Sequence, residues 1–386
     1  MRTIQFFSDI ENLPDDLLLR IFSFLGHDDL IRSVSRVSRR WNTISRAPSL
    51  WNCVNLSNLK MSNYSLKYLL RRKLIGPTTR ALVLCLGHSP SIQTPLISII
   101  NSCPQLQRFC ISHGRLESFW PIALALPRCL RTLKVNHLVV KHCDDHSLEF
   151  RQRSTNLNHL DLTGCGWFAD RHLLRFLEGT SLTHLDLSHC YRLFGGPPVC
   201  SKLASRLKLL SERLSQLCPN LVHLGVCSVF TLTVEPGDES IQNQSLLTMI
   251  VESLPSLYSL NLSENTSLVE YVSWWIKAKN DSQILLPFFR TFIGSKMSRK
   301  GTTMELHLNR WPLTCTHAML IAADALLTES TSSKFVLHFE HPFLLQELLT
   351  SPPKLVLQGS LRTAERKHSP PDKDPAFSTA KSSRLI

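Results

Sequence analysis

The residues whose types and spacing could do chemistry are histidines and their polar neighbours. His159, Asp161 and Thr163 recur 25 residues later as His184, Asp186 and Ser188. His223, Asn261, His307 and His338 follow in looser copies of the same pattern. Imidazoles titrate near neutrality, and a row of them beside carboxylates can hold an acidic or phosphorylated peptide when protonated. The same row could hold a metal, but imidazoles on successive strands without a thiolate make a weak zinc signature, and no metal is assigned. The plain alternative is a solvated polar ladder. His142-Cys143-Asp144-Asp145-His146 resembles a metal cluster only in composition and reads as a surface loop. A phosphate-cradling glycine loop, a Gly-x-Ser-x-Gly elbow and a His-Glu-x-x-His pair are all missing, so nothing proposes a catalytic centre or a cofactor.

A repeat must position these side chains. Leu157-Asn-His-Leu-Asp-Leu-Thr-Gly-Cys165 and Leu182-Thr-His-Leu-Asp-Leu-Ser-His-Cys190 both match Leu-x-x-Leu-x-Leu-x-x-Cys, the leucine-rich repeat signature. Looser copies begin at Leu106, Leu130, Leu221 and Leu257, with Leu82-Val-Leu84, Leu306-His-Leu308 and Leu337-His-Phe339 as partial ones. Starts at 106, 130, 157 and 182 step by 24, 27 and 25, whereas the steps to 221 and 257 are 39 and 36. In Leu-x-Leu the leucines face inward on a short strand and the residues between them face outward. Helical stretches over 171–178, 203–217 and 246–253 lie between strands. One strand and one helix per repeat stack into a solenoid, with strands on the concave side and helices on the convex side.

The predicted fold is therefore α/β, with this solenoid over 79–345. Insertions are expected near 195–215, 235–245 and 271–300. The last is rich in aromatic residues and then turns basic, and it fits the repeat pattern poorly. Residues 56–78 read as a linker or a first irregular repeat, and 359–386 as a disordered tail.

Ahead of the repeat, residues 9–55 form three short amphipathic helices. Pro14 suits a helix start, Asp15 and Asp16 suit the positive end of its dipole, and Gly26 suits its stop. Leu17, Ile21 and Leu25 share a stripe with Leu18 and Phe22 beside it. Asp28 is placed to cap a second helix carrying Leu30, Val34 and Val37, and a third carries Trp41 and Ile44. Three helices this short cannot hide all of these side chains among themselves, so some should face a partner.

The ordered set Leu13-Pro14, Leu17, Ile21-Phe22, Leu25, Leu30, Val34, Val37, Arg40-Trp41 and Leu50-Trp51 resembles an F-box. Followed by leucine-rich repeats, it resembles the F-box/leucine-rich-repeat family. Within that family the subgroup of S-phase kinase-associated substrate receptors is similar over about residues 10–345, through Leu13-Pro-Asp-Asp-Leu-Leu-Leu-Arg-Ile-Phe-Ser23, Asn55-Leu-Ser57 and Cys218-Pro-Asn-Leu-Val-His-Leu224. The resemblance implies a non-catalytic substrate receptor of an SCF ubiquitin ligase. Leu13, Pro14, Leu17, Ile21, Phe22, Leu25, Leu30, Val34, Trp41, Leu50 and Trp51 would support or contact the adaptor, and through it a cullin. The solenoid would present a phosphorylated cell-cycle regulator, with a cyclin-kinase-subunit protein as accessory. His159, Asp161, His184, Asp186, His223, Asn261 and His307 would touch that substrate. The rival reading is a repeat scaffold outside any ligase, or a basic protein associated with nucleic acid.

The totals bound the remainder. A chain of 386 residues allows two or three domains. Its N-terminus lacks a signal peptide's apolar core, and no run of eighteen apolar residues exists, so nucleus and cytoplasm are expected and no membrane. Twelve cysteines are scattered without a Cys-x-x-Cys pair, which favours buried reduced thiols. The formal charge of +13 is concentrated in islands, one with Lys67, Arg71, Arg72, Lys73 and Arg80, another with Arg290, Lys296, Arg299 and Lys300. Such islands attract acidic partners, but aromatic interleaving of the kind that stacks bases is thin.

Overall fold

Among the described residues, eleven parallel strands form one sheet in chain order, and Arg115–Leu116 pairs with Val139–Val140 in a separate two-stranded sheet. The structure is a computed structural model that describes residues 10–87, 92–142, 156–169, 172–173, 177–193, 203–230, 246–279, 285–294, 303–327, 334–339 and 355–359. The strands are Cys53–Met61, Ala81–Leu86, Arg108–Ser112, Thr132–Asn136, His159–Asp161, His184–Asp186, His223–Gly225, Ser259–Asn261, Thr303–His307, Lys334–Phe339 and Leu355–Gly359. Parallel neighbours need a crossover between them. Here helices supply it, including Asn63–Arg71, Gln93–Asn101, Leu203–Leu217, Leu246–Ser253 and Leu313–Leu327. This is the expected leucine-rich-repeat architecture.

The inward positions make a continuous core. Leu82 and Leu84, Phe109 and Ile111, Leu133 and Val135, Leu160 and Leu162, Leu185 and Leu187, Leu260 and Leu262 are all buried. Each strand covers one flank of its neighbour, so no repeat closes its own core.

Where three of the strands turn away, a buried polar side chain ties the repeats together. Cys165 Sγ donates to the Val135 carbonyl at 3.0 Å, and Cys190 Sγ to that of Leu162 at 3.1 Å. Burial pushes the Cys165 thiol up to about 12, so it keeps the proton it donates. Two repeats further on, Asn265 fills the same place. Its amide accepts from the Val229 and Phe230 N–H groups and donates to the Val226 and Leu262 carbonyls. Trp311 Nε1 then donates to Leu262 at 2.9 Å. All ten described cysteines are free, Cys103, Cys165, Cys190 and Cys218 among the buried ones.

Several expected boundaries move. Residues 56–78 hold most of the first strand and the Asn63–Arg71 helix, whose N-terminus Ser62 caps by accepting from Ser65 N–H at 3.1 Å. They are therefore a repeat rather than a linker. The longer step after residue 182 contains the fifteen-residue helix Leu203–Leu217. Within 271–300 lie most of the helix Thr266–Lys279 and all of Leu286–Gly294, which buries Phe288, Phe289 and Phe292. The second of these helices contributes to the core. Residues 235–245 and, apart from Gly359, the expected tail over 359–386 lie outside the described residues. No described helix is long and apolar enough to cross a membrane.

The N-terminal module packs onto the first strand. Its helices are Asp15–Phe22, a run from His27 to Val37 with a π-helical turn at Leu30–Val34, and Arg39–Ile44, followed by a 3-10 turn at Pro48–Trp51. Pro14 is the residue before the first helix, which stops at Phe22 and not at Gly26. Gly26, not Asp28, is the N-cap of the second helix, and its Asp28 and Asp29 sit in the first turn, where the dipole favours anions. Ser38 Oγ caps the third helix by accepting from Trp41 N–H at 3.1 Å.

Candidate functional site: an apolar face and a polar strand surface

Two surfaces stand out, one on each part of the chain. On the first helix, residues one apart point about 100° apart, so Leu17 and Leu18 diverge. Leu18 and Phe22, four apart, are buried, whereas Leu17 is 48%, Ile21 38% and Leu25 38% exposed, and Phe24 reaches 81%. Ile10 and Val37 are also exposed. Phe22 meets Trp41 edge to face, so the third helix covers one side of the first and leaves the other open. Arg40 fixes this arrangement. Its guanidinium pairs with Asp15 at 2.6 Å and donates to the Glu11 and Leu13 carbonyls.

The eleven residues named for the adaptor therefore divide. Leu17, Ile21 and Leu25 offer apolar surface, Pro14 is exposed, and Leu13 and Trp41 are half-buried. Phe22, Leu30, Val34, Leu50 and Trp51 are buried within the chain, so they support the face instead of contacting a partner. Trp51 Nε1 donates to the Ser45 carbonyl at 2.8 Å, and Thr79 Oγ1 donates to the Trp51 carbonyl at 3.0 Å. The second of these bonds joins the module to the repeats. Phe24 and the Arg40 clamp went unrecognised. Phe24 follows Leu17 and Ile21 at helical spacing, which was the signal available.

His27 completes the joint. Its Nε2 donates to the Leu50 carbonyl at 3.0 Å while Nδ1 accepts from the Asn55 N–H at 3.4 Å. The ring stands edge-on to Trp51 at 5.2 Å. Only a neutral imidazole can donate at one nitrogen and accept at the other. Burial lowers the His27 pKa, opposed in part by the Leu50 carbonyl.

The polar surface lies on the outward face of the strands, in two rows. Register aligns Arg108, Thr132, His159, His184, His223, Ser259 and Glu305 in one row. The other runs Cys110, Lys134, Asp161, Asp186, Gly225, Asn261, His307 and His338. His159 stacks on His184 at 5.2 Å and His184 on His223 at 6.0 Å. His307 is not in this stack. It belongs to the second row, paired with His338.

Protonated histidines do not supply the charge on this face. Desolvation, with Lys134 and the neighbouring imidazoles, holds His159 down to about 4. His184 and His223 are lowered as well, again chiefly by burial. These shifts favour neutral rings at physiological pH. Among the described residues of these two rows, the lysine and arginine side chains are Lys134 and the exposed Arg108, both in the early repeats.

Asp161, Asp186 and Asn261 spend an oxygen on their own backbone. Asp161 Oδ1 accepts from Thr163 N–H at 3.1 Å, Asp186 Oδ1 from Ser188 N–H at 2.9 Å, and Asn261 Oδ1 from Ser263 N–H at 3.1 Å. Each is an Asx turn that ends its strand. Asp161 also accepts from Thr163 Oγ1 and Asn136 Nδ2 and lies 3.4 Å from Lys134 Nζ. The repeated polar residue thus builds the turn first, which limits its share in any ligand contact. Of the cluster at 142–146, only His142 is described; it is exposed and 3.8 Å from Glu117.

Comparison with known proteins agrees with this architecture. Residues 10–57 match the F-box-like family. F-box/LRR-repeat protein 12 of Mus musculus is 31% identical over 196 residues, which cover 47% of this chain and 56% of that protein. Its Homo sapiens counterpart is 31% identical over 189 residues with the same coverage. F-box protein SKIP19 of Arabidopsis thaliana is 25% identical over 214 residues, covering 47% of this chain and 69% of that protein. The chain spans 56% of the length of the first two relatives. With an F-box-like module at its head and a leucine-rich-repeat solenoid behind it, the chain is similar in sequence and architecture to the F-box/LRR-repeat proteins.

Proposed function

We propose that this chain is a substrate-recognition subunit of an SCF-type ubiquitin ligase. Its helical module docks on the adaptor, which connects it to a cullin, and its solenoid holds a protein destined for ubiquitination. The observation that carries this reading is the apolar face of Leu17, Ile21, Phe24 and Leu25, exposed although the same helices bury Leu18 and Phe22. Contiguous apolar surface of this kind marks a site for a partner. The joint through His27, Trp51 and Thr79 makes the two parts a bracket. A bracket acts by proximity: it raises the effective concentration of substrate lysines near the charged conjugating enzyme, with no chemistry by this chain.

The finer reading is a phosphorylated cell-cycle regulator as cargo, handled with a small cyclin-kinase-subunit protein in nucleus and cytoplasm. Its support is cationic. Lys67, Arg71, Arg72, Lys73, Arg80 and Arg108 are exposed on the early repeats, where anionic groups would be attracted.

Affinity purification of the full chain with mass spectrometry tests the proposal. Adaptor and cullin should co-purify with the wild type and be lost with Leu17→Asp/Ile21→Asp. Their absence from the wild-type sample would refute it.

A further inference from the structure

Glu305, His307 and His338 converge on the outward face of the late repeats. Glu305 and His307 are two apart on one strand and so project from the same side. Register sets His338 beside His307 on the next strand. The two imidazoles stack with centroids 3.9 Å apart and planes 6° from parallel, and Glu305 Oε2 lies 3.7 Å from His307 Nε2. One donor atom from each of the three falls within 4.8 Å of the other two. His338 Nε2 is buried and makes no hydrogen bond. A buried ring nitrogen left unpaired is costly unless something else coordinates it.

We propose that these three residues bind a divalent transition metal, zinc first. Two imidazoles and a carboxylate are a borderline donor set suited to zinc, and three protein ligands leave a fourth position for water or a donor from a bound partner. Donors around tetrahedral zinc stand about 3.5 Å apart, given bonds of roughly 2.0–2.2 Å. An ion bound by an imidazole lies in the plane of its ring, so the two rings must tilt out of their parallel stack to bring donors already within 4.8 Å onto one ion. A second shell is in place: Ser259 Oγ donates to Glu305 Oε2 at 3.4 Å and lies 2.8 Å from His223 Nδ1. Such partners orient a ligating carboxylate.

A second trio, His189, Cys227 and Glu264, is equally compact. There the Arg310 guanidinium lies 3.5 Å from Glu264. That cation neutralises the carboxylate and opposes a metal.

The test uses the full chain, stripped with chelator, dialysed against zinc and measured by elemental analysis and by competition with a chromophoric chelator. One zinc per chain should be retained, and Co²⁺ in its place should give the visible absorption of a tetrahedral ion. His338→Gln and the near-isosteric Glu305→Gln should each weaken binding by at least about tenfold, while His189→Gln leaves it unchanged. Circular dichroism verifies that the variants are folded. No retained zinc, or zinc held as tightly by both ligand variants, would overturn the proposal. Neither outcome depends on the ligase reading.

Discussion

The rings of Phe22 and Trp41 meet edge to face, centroids 5.0 Å apart and planes at 62°. That contact decides which side of the first helix is spent on folding and which is left for a partner. Truncating Phe22 to alanine should cost about 3–5 kcal/mol, as for other buried aromatic side chains. Leu17→Ser, on the open side, should cost less than about 1 kcal/mol. Urea denaturation of the two variants separates support from contact. Equal losses would show that the helix has no free side.

Gly225 faces Asp186 across neighbouring strands, and a Cβ there would lie 2.5 Å from the carboxylate. The carboxylate cannot yield freely, because Asp186 Oδ1 holds the Ser188 N–H. Gly225→Ala should therefore destabilise the chain by roughly 1–3 kcal/mol through loss of that bond. In an Asp186→Ala background most of the added cost should vanish, giving a coupling above about 0.5 kcal/mol. Strict additivity in a double-mutant cycle would mean the two positions do not constrain each other.

Acid should weaken the protein through buried neutral histidines. His159 titrates near 6.5 when unfolded and at about 4 when folded. Between those values the unfolded chain binds more protons than the folded one, so stability falls as pH drops through that window. The contribution of His159 between pH 7 and 5 is about 1 kcal/mol once its partial exposure is discounted. His27 acts with the same sign, because a proton on Nδ1 removes the acceptor for Asn55 N–H. Denaturation midpoints should decline from pH 7 to 5 and do so less steeply in His159→Asn. An unchanged slope would place the charge elsewhere.

The solenoid was legible because its signal is periodic: Leu-x-Leu alternation fixes a strand, and constant steps fix the stack. The first repeat was harder to read. Val54 and Leu56 alternate inward correctly, but the register shifts between Leu56 and Lys60 and breaks the pattern. The segment around Phe288 resembled an interruption because its helix has only nine residues, too few to show a period clearly although Pro287 and Arg290 face outward and Phe288, Phe289 and Phe292 inward. Residue type alone did not separate Leu17 from Leu18; the packing of Trp41 did. The histidines misled for a countable reason. His159 precedes its inward leucine while His307 follows one, Leu306, so they fall in different rows. Glu305, two residues before His307, entered the site only when the strands were laid side by side.

Leu17, Ile21 and Phe24 are the proposed docking face for the ligase adaptor. Titration of purified adaptor into the full chain by isothermal calorimetry tests it most directly. A saturable one-to-one complex is the expected result. Replacing Leu17 and Ile21 by aspartate should weaken it by at least about a hundredfold, since each buried leucine or isoleucine is worth roughly 1.5–3 kcal/mol, with the melting temperature little changed. Wild-type affinity in that variant, or no heat of binding from the unmodified chain, would contradict it.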